Sequence, residues 1–172
     1  IYYGDEIGMV GNSSLPSKEG GYQRTQSRTP MRRDNNHGAG FSSASPEQYY
    51  LPVDTEPAWA TVSAQESEEN SLLTFVRDLI HYRRTNPVLG ASARLQPLHA
   101  HADSPLFVYE IRASAGRVVV ALNPADREVT GTSAEPVCGF DELSTVRCQG
   151  NVQIDESQIT AGPVSFAILE SR

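Results

Sequence analysis

One stretch of this chain has the period of an amphipathic helix, residues 70–87, NSLLTFVRDLIHYRRTNP, and it constrains everything around it. Leu72, Val76, Leu79, Ile80 and Arg83 recur at three- and four-residue spacing, with Leu73 and Phe75 widening the stripe. That spacing predicts a helix with one core-facing side. Ser67, Asn70 or Ser71 can cap its start, Arg83 and Arg84 fall where the helix dipole favours cations, and Pro87 stops it. Beyond Gly90 the period changes to two. The run LFVYEIRASAGRVVVALN reads as a hairpin, and REVTGTS, STVRCQG, NVQID and PVSFAILE add short strands divided by Gly, Pro, Asn or Asp. Residues 91–172 are therefore predicted to form an antiparallel β-sandwich.

The region ahead of the helix reads differently. Ile1–Tyr3 is β-prone and Gly4 then releases the backbone, as at the end of a buried strand entering a loop. From Gly4 to about residue 70 the chain is rich in Gly, Ser, Pro, Asn and Arg, with Met9, Met31, Phe41, Tyr49, Tyr50, Leu51 and Trp59 as its apolar anchors. Loops of that length are uncommon in a compact domain unless they are functional or belong to a larger context. A single strand followed by a helix cannot cover the strand on both faces. Residues 1–90 thus call for further strands, and the helix stripe must pack on the sandwich, be covered by a second copy, or stay open as an apolar patch.

Composition limits the partners. The 172 residues carry 14 cations against 21 acids, a net charge of −7, which argues against nucleic acid and anionic membrane surfaces. No run approaches the roughly 18 apolar residues of a membrane span. No export signal is visible, so the expected location is cytoplasmic. Cys138 and Cys148, with nine residues between them, can be a strand-to-strand disulfide or two reduced thiols; without a cysteine-rich framework the second reading is preferred. Neither the cysteines nor His37, His81, His99 and His101 have the spacing of a metal site, and Gly20-Gly21 does not form a phosphate loop. No cofactor is implied.

The ordered set IYYGDEIGM, SRTPM, GAGFS and SLLTFVRDLIHYRRTNPVL resembles the last part of the α-amylase superfamily, glycoside hydrolase family 13, and within it the α-glucosidase and trehalose-synthase-like members. The resemblance implies an α+β chain: the end of a (β/α)8 barrel over residues 1–90, consisting of last strand, long loop and last helix, followed by the sandwich called domain C over 91–172. It also implies retaining cleavage or transfer of α-glucosidic bonds, which uses two carboxyl groups about 5 to 5.5 Å apart. In the family these follow the fourth and fifth barrel strands, with a third essential Asp after the seventh, all ahead of the segment matched here. No catalytic residue is therefore assigned to this chain, and the expectation is the C-terminal portion of an α-glucoside hydrolase or transglycosylase, inactive alone. The partner implied is an α-glucoside or oligosaccharide substrate.

Three residues are candidates for substrate contact. Arg28, in SRTPM, offers a rigid fork of donors to sugar hydroxyls or to a carboxylate, and the matching family arginine lies on the acceptor side; alternatively it braces its loop. Asp5 and Glu6 are adjacent on an extended chain and point apart, so they are read as rim residues beyond a barrel strand, or else as loop hydrogen-bonding groups. Asp34 and Asn35 read as turn residues, and Lys18 with Glu19 as a loop ion pair. Relatives usually have Gln-Trp where this chain has Arg32-Arg33, which exchanges a flat aromatic surface for two cations and puts acceptor preference in question. Two other readings remain: the sandwich, with Phe107, Tyr109, Phe140 and Phe166, as a glycan-binding module, and the whole as a noncatalytic homologue serving as a partner protein.

Overall fold

The computed structural model describes residues 1–18, 20–22, 24–137 and 143–171. The chain divides into two compact units, Ile1–His81 and Tyr82–Arg172.

The first unit contains no strand among its described residues. Ile1–Tyr3, expected as a strand, has no strand beside it with which to share ladder hydrogen bonds, and the backbone passes at once into a 3-10 turn, Asp5–Ile7. The glycines of GDEIG bracket that turn in left-handed conformations, Gly4 at φ 91° and Gly8 at φ 67°. A Cβ at Gly4 would lie 2.8 Å from Met9 Sδ, and one at Gly8 would lie 3.0 Å from the Trp59 ring, so both shape and packing demand glycine. Further 3-10 turns cover Thr25–Ser27, His37–Gly40 and Pro46–Gln48. A short helix that the sequence pattern does not announce, α1 (Val62–Glu66), follows, capped by the Thr61 hydroxyl accepting from Ala64 N–H at 3.2 Å.

Helix α2 spans Leu72–Thr85. Of the possible caps, Ser71 takes the position, its Oγ accepting from Thr74 N–H at 3.1 Å. The expected inward stripe is only partly inward. Leu73 is the buried member, whereas Leu72 is 38% and Ile80 44% exposed. The Leu73 backbone is tied to Gln65, which joins three segments of the unit. Gln65, 5% exposed, donates from Nε2 to the carbonyls of Ile7 (2.7 Å) and Trp59 (3.3 Å) and accepts from Leu73 N–H at 3.0 Å.

The second unit begins with the last turn of α2 and a 3-10 turn, Pro87–Leu89, and continues into eight strands among the described residues. They are β1 (Arg94–Ala100), β2 (Phe107–Ala113), β3 (Gly116–Asn123), β4 (Val129–Thr132), β5 (Ser144–Gln149), β6 (Val152–Asp155), β7 (Gln158–Ala161) and β8 (Ser165–Ser171). All pairings are antiparallel, in a five-stranded sheet β1-β2-β3-β8-β5 and a three-stranded sheet β4-β7-β6. The β2–β3 hairpin closes at Ala113 and Gly116, as the alternation around Ser114-Ala115 requires. Strands β1 and β7 are the two that the sequence pattern misses. β1 carries Pro97 and shifts register between Pro97 and His99, which breaks its alternation.

Leu106, Val108, Val119, Ala121, Val137, Ile159 and Ala161, from both sheets, fill the space between them, which makes the unit a sandwich. The outer face of the larger sheet is apolar as well. Val118 and Val120 there are buried with Val88, and Tyr82, Leu89 and Tyr109 pack around them. The buried Glu170 carboxylate fastens this cover, accepting from Tyr82 Oη and Asn86 Nδ2, each at 2.8 Å. Cys148 is a free, exposed thiol, while Cys138 lies outside the described residues, as do Glu19 and Phe140. His99 is buried, its Nδ1 donating to Thr132 O at 3.0 Å and its ring 4.6 Å from that of His101, a packing role.

Two outcomes follow from this packing. Gln65→Ala leaves a buried carbonyl and a helix N–H without partners, and should lower the unfolding free energy of the first unit by about 2 to 3 kcal/mol in urea titration. Burial pushes the Tyr109 hydroxyl above its ordinary value of 10.0, with the Arg83 guanidinium pulling the other way. The folded state therefore holds that proton longer than the unfolded one, so this contribution to stability is present below about pH 10 and declines as pH rises past it. Tyr109→Phe should flatten that alkaline decline in a pH series of melting temperatures.

Candidate functional site

The clearest concavity around a sequence-assigned residue is an aromatic-walled cleft of about 440 Å³ in the first unit, lined by Arg28 with Tyr3, Met31, Phe41, Tyr49 and Tyr50 among others. Its geometry comes from three short motifs. Arg28 closes the Thr25–Ser27 turn, its N–H donating to Thr25 O at 3.1 Å. Thr29, next in SRTPM, is buried, and its carbonyl accepts from Tyr3 Oη at 3.1 Å, which sets the Tyr3 ring beside Arg28. Burial raises the Tyr3 hydroxyl above its ordinary value, reinforced by Tyr2 and opposed by Arg28, so at neutral pH it is the protonated donor that this bond needs.

The motif GAGFS supplies the opposite wall. Gly38, Ala39 and Gly40 are all left-handed, with φ of 67°, 53° and 63°, and Phe41 N–H donates back to Gly38 O at 2.8 Å. A left-handed Ala costs about 1 to 2 kcal/mol. The Ala39 carbonyl repays the geometry by accepting from Arg33 N–H at 2.9 Å and Asp34 N–H at 3.3 Å, which ties this turn to the RTPM segment. Phe41 is left 56% exposed and Tyr50 66% exposed, while Tyr49 between them is held by its hydroxyl donating to Ala44 O at 3.0 Å. A guanidinium flanked by exposed rings is a surface that can hydrogen-bond hydroxyls and stack on the apolar face of a pyranose.

Asp5 and Glu6 are not part of this lining. Asp5 Oδ2 accepts from Tyr2 N–H at 3.0 Å and Glu6 Oε2 from Gly4 N–H at 2.8 Å, so each carboxylate is engaged with its own loop. Asp34 is a turn residue as expected, its Oδ1 accepting from Asn36 N–H at 2.8 Å.

Arg32 is the buried member of the Arg32-Arg33 pair. It is 3% exposed, and its two terminal nitrogens donate to Pro57 O at 2.6 Å, Thr55 O at 3.0 Å and Asn35 Oδ1 at 2.9 Å, tying residues 32–35 to 55–57, while its buried Nε has no hydrogen-bond partner. Arg33 is the exposed member of the pair. A second cavity of about 500 Å³, lined by Arg32, Asp34, Tyr49 and Asp54 among others, lies alongside, with Tyr49 as the shared wall. Lys18 places its ammonium on Tyr50, and Glu19, its expected partner, lies outside the described residues. Phe41, Tyr50 and Tyr3 are the cleft residues that composition and period could not assign. Their signal was the clustering of aromatics in a loop with little else to bury. Among the described residues there is no group of three or more His, Cys, Asp and Glu that could hold a metal, and no helix long and apolar enough to cross a membrane.

Residues 1–92 match the α-amylase catalytic domain, and the chain belongs to that family. Trehalose synthase/amylase TreS of Mycobacterium tuberculosis is 33% identical over 132 residues, which cover 74% of this chain and 21% of that protein. The amino acid transporter heavy chain SLC3A1 of Mus musculus is 34% identical over 91 residues, covering 52% of this chain and 13% of that one. Among solved structures, Bacillus licheniformis trehalose-6-phosphate hydrolase superposes on 99% of this chain and 35% of its own with a TM-score of 0.81 at 16% identity, a likeness of fold. The chain thus spans about a fifth of the length of TreS.

Replacing Arg32 by Gln removes charge-assisted bonds to two carbonyls and an amide. We expect a loss of about 2 to 4 kcal/mol in unfolding free energy and faster amide exchange near residues 55–58, read by denaturant titration and hydrogen exchange.

Proposed function

We propose that this chain is the C-terminal portion of a retaining α-glucoside hydrolase or transglycosylase and that it furnishes the acceptor side of the active site. The observation that carries the reading is the Arg28 cleft, in which a half-buried guanidinium stands among exposed rings of Tyr3, Phe41 and Tyr50. In this reading Arg28 donates to hydroxyls of the acceptor sugar, and the rings offer it stacking surfaces. Asp5 and Glu6 support substrate from the rim by holding the GDEIG turn beneath it. The carboxylates that form and break the glycosyl-enzyme bond belong to the preceding part of the barrel in this family, one as nucleophile and one as acid and base. The acceptor decides the outcome: water gives hydrolysis, and a sugar hydroxyl gives transfer or isomerisation.

The similarity to a transporter heavy chain supports a second reading, a noncatalytic homologue that serves as a partner protein. The two separate on the longer protein: Asp, Glu and Asp at the three family positions require the first, and their loss requires the second.

The test is kinetic. In the longer protein, assayed on maltose, sucrose, isomaltose and trehalose, Arg28→Ala should raise KM for the acceptor at least about tenfold, the loss of one charge-assisted hydrogen bond. An unchanged KM together with an unchanged ratio of transfer to hydrolysis would overturn the assignment of the cleft. The polypeptide Ile1–Arg172 by itself should show no turnover.

A further inference from the structure

The loop that precedes Arg28 is closed on itself. Asn12 N–H donates to Gln26 O at 2.8 Å, and the Gln26 side chain donates to Ser13 O at 2.8 Å. Within that frame Lys18 N–H donates to Thr25 Oγ1 at 2.9 Å, and Thr25 is buried, so the backbone of Lys18 is fixed relative to the turn that carries Arg28. Lys18 is the only lysine in the chain.

The Lys18 ammonium reaches 32 residues along the sequence to Tyr50 and engages that residue twice. It donates to the Tyr50 carbonyl and stands 4.5 Å from the centroid of the Tyr50 ring. Tyr50 is a wall of the Arg28 cleft and is 66% exposed, so core packing does little to choose its rotamer. An ammonium over one face of the ring does choose it, and leaves only the other face for a ligand.

We propose that Lys18 is a positioning residue for Tyr50 and through that ring sets the mouth of the Arg28 cleft, and thereby the acceptor sugar it admits. The inference rests on the reading of that cleft as the acceptor side. Lys18 touches no reacting atom; it orders the ring on which the acceptor stacks, so its removal weakens acceptor binding without altering the chemistry.

The experiment uses the longer protein with Lys18→Met, Lys18→Arg, Tyr50→Leu and the double variant Lys18→Met/Tyr50→Leu, beside Arg28→Ala. Lys18→Met should raise KM for the acceptor about three- to fivefold, the size of an exposed cation–π contact with its hydrogen bond, with kcat little moved. Lys18→Arg should restore most of it, and Lys18→Met should have no further effect once Tyr50 is Leu. If Arg28→Ala raises KM while Lys18→Met does not, or if Lys18→Met acts equally in the Tyr50→Leu background, the positioning role is wrong and the cleft assignment stands. If neither Arg28→Ala nor Lys18→Met moves KM, the cleft is not the acceptor side and both fall.

Discussion

The first unit depends on buried side chains that hydrogen-bond to distant backbone. It has no described strand ladder, so its carbonyls and N–H groups must find partners elsewhere. Gln65 resolves this at the base, joining Ile7, Trp59 and Leu73 through one amide. Arg32 does the same higher up, joining residues 32–35 to 55–57. An amide and a guanidinium suit the task because each presents several polar atoms in a fixed plane, so one residue satisfies several carbonyls at once. Remove either and the unsatisfied groups are left buried, which costs more than the bonds themselves contribute.

The cleft follows from that scaffold. SRTPM and GAGFS are linked by the Ala39 carbonyl, which accepts from the two residues after Arg32, and the left-handed run at Gly38–Gly40 then throws Phe41 outward toward the side of Arg28. Strain in the turn and exposure of the ring are two aspects of one arrangement.

The sandwich is organised more conventionally, with polar groups confined to its margins. Glu110 is buried there with Arg112 Nη2 at 3.0 Å and Arg117 Nη1 at 3.5 Å, and Arg117 also donates to Val137 O at 2.9 Å. Glu170 accepts from Tyr82 Oη and Asn86 Nδ2, so the last turn of α2 is attached to β8 through a carboxylate.

Much of this was legible in the sequence. The capped helix, the hairpin, six of the eight strands and the family motifs rest on local effects: side-chain period, cap hydrogen bonds and turn preferences, each set within a few residues. Arg28 was legible as a candidate because its motif is local. Tertiary structure alone decided the rest. Arg28 and Arg32 lie four residues apart in one segment, yet Arg28 is partly exposed and Arg32 is buried, because Arg32 meets carbonyls 23 and 25 residues away. Leu73 N–H meets the Gln65 side chain eight residues back, and the Lys18 ammonium meets Tyr50 32 residues on. Periodicity reports which face is apolar; which atoms find partners is settled by segments brought together from far along the chain.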